Sequence, residues 1–162
     1  LIRLYRGDPL PDPHLTPGTA TAGVSLTSIC ENTYAASIPR VPDATARQVF
    51  ARYHISYNDR ASYELDHLIP LELGGDNSIR NLWPEEGPSP NSKDYLEIRL
   101  HNQVCKNKLS LSEAQRLIST NWAAEFLKGG GSHKLSTGPP KPPKQPKKPK
   151  KKHASPSPSP TH

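Results

Sequence analysis

A carboxylate, an imidazole and two carboxamides stand near one another in the middle of the chain. They are Asp66 and His67 in Glu64-Leu-Asp66-His67-Leu-Ile-Pro70, Asn81 in Asn81-Leu-Trp83, and Asn91 in Asn91-Ser-Lys93-Asp94. A hard divalent cation takes oxygen ligands. Asp66 and an asparagine carbonyl therefore suit Mg2+, which fills its other positions with water and phosphate oxygens. An imidazole can take a proton from water near neutral pH. A cation and a base together are the minimum set for hydrolysing a phosphodiester.

Three elements must bring these residues together. Tyr63 to Ile69 alternates and then runs apolar, which predicts a strand, and Pro70 ends it as a ladder donor. Gly74-Gly75-Asp76-Asn77 predicts a turn, and Ile79 to Trp83 a second short strand closed by Pro84. A helix is predicted from Asn91 onward, because Leu96, Leu100 and Val104 recur every fourth residue. Neighbours in a regular strand point to opposite faces. Asp66 and His67 can share one site only where the strand twists or ends, and Pro70 with the glycine turn supplies such an end.

The flanking segments read more simply. Residues 1–23 are rich in Pro, Gly and Thr and predict an extended lead-in with little regular structure. Leu26 to Cys30 predicts a short strand or a buried turn. Asp43-Ala-Thr45 offers capping oxygens to a helix over 47–53 that presents Val49, Phe50 and Tyr53 on one face. Ser110-Leu-Ser-Glu113 has the form of a capping box. It precedes a helical face of Ala114, Leu117, Ile118, Trp122 and Phe126, which Gly129-Gly-Gly131 ends.

Charge and apolar content divide at the same place. Residues 134–162 hold eight lysines and no acid, whereas residues 1–133 carry 13 Lys and Arg against 15 Asp and Glu, a net of −2. The basic character thus belongs to the tail. From 129 onward only Leu135 and Ala154 are apolar, so the Lys, Pro and Ser run cannot bury a core and predicts disorder with polyproline-II character. It reads equally as a tether for polyanions or as a cell-envelope spacer. No apolar run approaches the ~20 residues that span a bilayer. Cys30 and Cys105, without a CxxC pattern, are two buried thiols or, in an exported protein, one disulfide.

The stretch YELDHLIPLELGGDNSIRNLWPE resembles the core of bacterial HNH endonucleases. LPDPHLTPG, TSICENTY, KDYLEIRLHNQVC and LSLSEAQRLISTNW resemble the flanks of one, often exported, subgroup. The resemblance implies an α+β fold: a ββα-metal (HNH, His-Me finger) hairpin and helix with flanking helices and disordered termini. The nuclease domain would span 24–128, between the lead-in and the 129–162 tail. It implies a metal-dependent endonuclease acting on nucleic acid, DNA ahead of RNA, with Mg2+ first and Mn2+ or Zn2+ as the other candidates. By the same resemblance His67 is the general base and Asn81 braces the loop and orients that base. Asp66 and Asn91 hold the metal, with Lys93 and Asp94 as rivals of Asn91. A bacterial protein, secreted or in the cell envelope rather than cytoplasmic, completes what the resemblance implies, and a monomer is the expected state.

Plainer readings stand beside these. Arg80, Lys93 and Arg99 flank the site and could touch phosphates, although scattered basic residues are usually solvated. Glu64 shares a strand face with Asp66 and could stand behind the metal ligands, as could Asp94. Glu97 and His101 read as a surface pair, and Trp83 and Trp122 as packing. The competing function is a non-catalytic module that binds polyanions or the envelope through its tail.

Overall fold

The computed structural model describes residues 2–131. The expectations for the Lys/Pro/Ser tail therefore lie outside the described residues, apart from the terminal glycines.

The described chain is α+β, with two small antiparallel sheets and helices between and after them. The lead-in is more regular than its composition predicts. Strand β1 (Arg3–Tyr5) pairs with β2 (Asp8–Leu10) through a two-residue turn at Arg6 and Gly7, both at positive φ. Such turns match the twist of a hairpin. Leu10 then enters the core, and Thr16 is buried with its hydroxyl donating to the Leu82 carbonyl at 3.0 Å.

Leu26–Cys30 forms a short helix, α1, rather than a strand, because the Ser25 hydroxyl accepts from the Ser28 amide and caps it. Helix α2 is Thr33–Ser37. Helix α3 (Asp43–Arg52) buries Val49 and Phe50, and Tyr53 follows them into the interior. Asp43 does not cap it; its carboxylate instead meets Arg47 and the Tyr57 hydroxyl.

The central unit is β3 (Tyr63–His67), a 14-residue loop (68–81), β4 (Leu82–Glu86) and α4 (Ser92–Cys105). The strands are antiparallel, with Asp66 opposite Trp83 and His67 opposite Leu82. Strand β4 runs three residues later than predicted. Pro84 lies inside it, opposite Leu65, which a two-stranded ribbon tolerates because it has an open edge. Within the loop, Asn81 is fully buried and holds Ile69 by both main-chain groups, at 2.9 Å each. Gly75 is required there, since a Cβ would sit 1.8 Å from the Ile69 carbonyl oxygen.

Helix α4 starts where predicted. Asn91 accepts from the Lys93 and Asp94 amides, and Asp94 returns a carboxylate oxygen to the Asn91 amide. Helix α5 (Leu111–Lys128) is capped by Ser110 and packs Ala114, Ile118, Trp122 and Phe126 into the core beside Leu96, Leu100 and Val104. Glu113 does not complete a capping box, because Arg116 takes its carboxylate. Asn121 leaves helical geometry, and its side chain recaps the second half of α5 at Ala124.

Cys30 and Cys105 form a disulfide with Cα atoms 5.5 Å apart, joining the last residues of α1 and α4. No helix among the described residues is long and apolar enough to cross a membrane.

Candidate functional site

Strand β3 stays regular to its last residue, so the side chains of Asp66 and His67 leave opposite faces. The end of the strand does not swing them together. The result is two half-sites that share a backbone.

On one face His67 is half-buried, and its Nε2 lies 2.8 Å from Asn77 Oδ1. The Asn77 amide group donates to the Pro39 carbonyl at 2.8 Å, which turns Oδ1 toward the ring. Nε2 is therefore the protonated nitrogen of a neutral His67, and Nδ1 carries the lone pair. No hydrogen bond engages Nδ1 among the described residues. A residue read only as part of a turn thus sets the tautomer of the candidate base. Asn81 braces the loop beneath, with contacts to Ile69, Asp76 and Thr19, and does not touch the ring.

Tyr63 and Leu65 leave β3 on the face of His67, and there they line an open cleft of about 540 Å³ with Phe50, Tyr57, Arg40 and Arg60. Arg40 directly follows Pro39, the anchor of Asn77. The Arg47 and Arg60 guanidiniums lie over the Tyr57 ring at 4.2 and 4.9 Å. All three arginines are exposed.

On the other face Asp66 is 12% exposed, and its Oδ2 accepts from the Trp83 indole and from Lys93 Nζ, each at 2.8 Å. Lys93 is only 1% exposed and also donates to Glu97 at 2.5 Å and to the His67 carbonyl at 2.8 Å. Glu64 and Glu85 face each other across the two strands on this side. Burial, reinforced by the Asp66 charge, pushes the Glu85 carboxyl up to about 8, and the Asn91 side chain opposes that by a hydrogen bond. Burial likewise raises Glu97, against the pull of Lys93. Burial and the charges of Asp66 and Asp94 raise Glu64, whose Oε2 is buried and has no hydrogen-bond partner among the described residues. Burial works against the Lys93 charge, but Asp66, Glu97 and Glu85 outweigh it and hold the ammonium above the usual lysine range.

The two residues expected to hold a divalent ion are thus otherwise engaged. Asp66 serves an ammonium and an indole, and Asn91 caps α4. Among the described residues no group of three or more His, Cys, Asp or Glu is arranged to hold a metal ion. As folded, Asp66 Oδ2 and the Asn91 side chain are therefore already in use within the protein.

The basic residues named from the sequence are scattered. Lys93 is internal, Arg99 donates to the Glu125 and Phe126 carbonyls at the end of α5, and only Arg80 is exposed. Glu97 and His101 do not pair, because Lys93 takes the first and the Ile29 carbonyl the second. Arg40 and Arg60 carried no signal in the sequence, since both precede the strand that bears the Asp-His motif and no local pattern ties them to it. No family model, curated protein or solved structure matches this chain.

Proposed function

We propose that this chain hydrolyses phosphodiester bonds of nucleic acid, with DNA as the first substrate. The observation that carries the reading is His67 at the end of β3. Asn77 holds its ring as the Nε2–H tautomer, and Nδ1 is left without a partner among the described residues. An imidazole so held can take a proton from an attacking water as a general base.

The open cleft beside Tyr63 and Leu65, on the strand face of His67 but not lined by that residue, is the candidate substrate groove, and the Asp43 carboxylate also faces it. Arg40 and Arg60 carry fixed positive charge for a phosphate backbone, and Tyr57 and Phe50 offer ring surface for bases or sugars. The succession of two strands and a helix, with its Asp-His pair and helix-start asparagine, accords with the ββα arrangement that the sequence resembles. The Cys30–Cys105 bridge favours a secreted or cell-envelope location, because such bridges persist in oxidising compartments.

The test is nicking of supercoiled plasmid, in Mg2+ and in EDTA, by wild type and by His67→Ala. Nicking is expected from the first and not from a folded second. Equal nicking by both would remove His67 from the chemistry, and none by wild type with either DNA or RNA would refute the hydrolase.

A further inference from the structure

An ammonium group has three N–H donors and no acceptor. Lys93 uses all three inside the fold, on Asp66 Oδ2, Glu97 Oε1 and the His67 carbonyl oxygen. None remains for solvent or substrate. The three oxygens come from two elements, β3 and α4, and converge on one point, as oxygens do around a hard cation. Glu85 and Glu64 add carboxylates on the same side of the strands, and Glu85 is 2% exposed.

We propose that Lys93 is the resident cation of this unit, its ammonium seated between Asp66 and Glu97 so that it keeps a divalent ion from Asp66. The pocket then has its positive charge built into the chain. A divalent ion can enter only by displacing an ammonium that spends all three donors inside the fold and is 1% exposed. Without substrate, the protein should fold and melt without regard to divalent ions. Removing the ammonium should leave the half-buried Asp66 and Glu97 facing each other without a counter-charge, which destabilises a fold. The same carboxylates should then recruit an ion.

The experiment is thermal unfolding of the full chain in EDTA and in millimolar Mn2+. Wild type should shift by less than about 1 °C between the two. Lys93→Met should melt lower in EDTA and regain roughly 5 °C or more in Mn2+, since an ion that binds only the folded state raises its stability by mass action. Lys93→Met with Asp66→Asn should regain nothing. If Lys93→Met does not fold in either buffer, wild type decides the matter through Tb3+ luminescence sensitised by Trp83, whose indole touches Asp66. No sensitised emission from the wild-type pocket is expected. Emission or a Mn2+-dependent melting shift in wild type, lost on Asp66→Asn, would overturn the proposal. So would a folded Lys93→Met that ignores Mn2+. A failed nicking assay would sink the hydrolase and leave Lys93 where it is.

Discussion

Asn81 grips Ile69 from both sides of its peptide: Oδ1 accepts from the Ile69 amide and Nδ2 donates to the Ile69 carbonyl, each at 2.9 Å and out of contact with water. Nδ2 also donates to the Asp76 carbonyl. The loop that carries Asn77 to His67 is thus closed by one side chain. Asn81→Ala would strand buried amide and carbonyl groups, each costing about 1–3 kcal/mol, so a loss of roughly 2–4 kcal/mol is expected. Urea unfolding measures it, and a change below about 0.5 kcal/mol would show that water replaces the grip.

Asn77 should matter for rate more than for stability. Asn77→Ala frees the His67 ring to take the wrong tautomer, and single-turnover nicking should slow about 10-fold or more with KM little changed. The melting temperature should move little, because Asn77 is only half-buried. A fall in DNA affinity with an unchanged single-turnover rate would assign Asn77 to binding.

Glu85 sets a pH dependence. Its ordinary value is 4.5 and its folded value about 8. Below pH 4.5 it is protonated in both states. Between 4.5 and 8 the unfolded chain has released the proton while the folded chain still holds it. Stability therefore falls as pH rises through that window. Glu85→Gln removes this loss and keeps an acceptor for Asn91. It should be more stable than wild type at pH 8 by on the order of 2 kcal/mol, and the gap should close near pH 4. Melting curves across pH check the sign; a gap that widens toward acid would refute the assignment.

Arg40→Ala and Arg60→Ala should each weaken DNA binding and lower the slope of log K against log salt by up to about 0.9 on duplex DNA. Neither arginine contributes to the core, so melting should be unaffected. Unchanged slopes in both would place the substrate elsewhere. Deleting residues 134–162 removes eight lysines. If they tether DNA, the slope should fall further still, and if they act as a spacer it should stay put.

Much of the central unit is legible in the sequence. The glycine turn, the two runs beside it and the helix start at Asn91 each rest on local chemistry: a close approach at Gly75, a strand period, and a reciprocal cap between Asn91 and Asp94. What local pattern cannot convey is which charges meet across elements. Lys93 reads as a phosphate contact because it flanks the Asp-His site, or else as a solvated side chain, as scattered basic residues usually are. Its burial depends on an aspartate in another element. Asn77 likewise reads as turn chemistry until Pro39, far back in the chain, fixes its amide. The β1–β2 hairpin is hidden by Pro and Gly content, and only the Arg6-Gly7 pair hints at it. Pro84 reads as the end of a strand because it cannot donate to a ladder, yet in a two-stranded ribbon one edge asks for no donor.

The Cys30–Cys105 bridge closes a loop of 75 residues. In the chain-entropy view this contributes about 4 kcal/mol, which double replacement by serine should remove. The same loop encloses both strands of the central unit, Asn77, Asn81 and Lys93. A protease that cuts once anywhere between Glu31 and Val104 therefore leaves a single covalent molecule, with both half-sites still fastened to α1 and α4. A protein released among extracellular proteases could be nicked and lose no fragment until a reductant arrived.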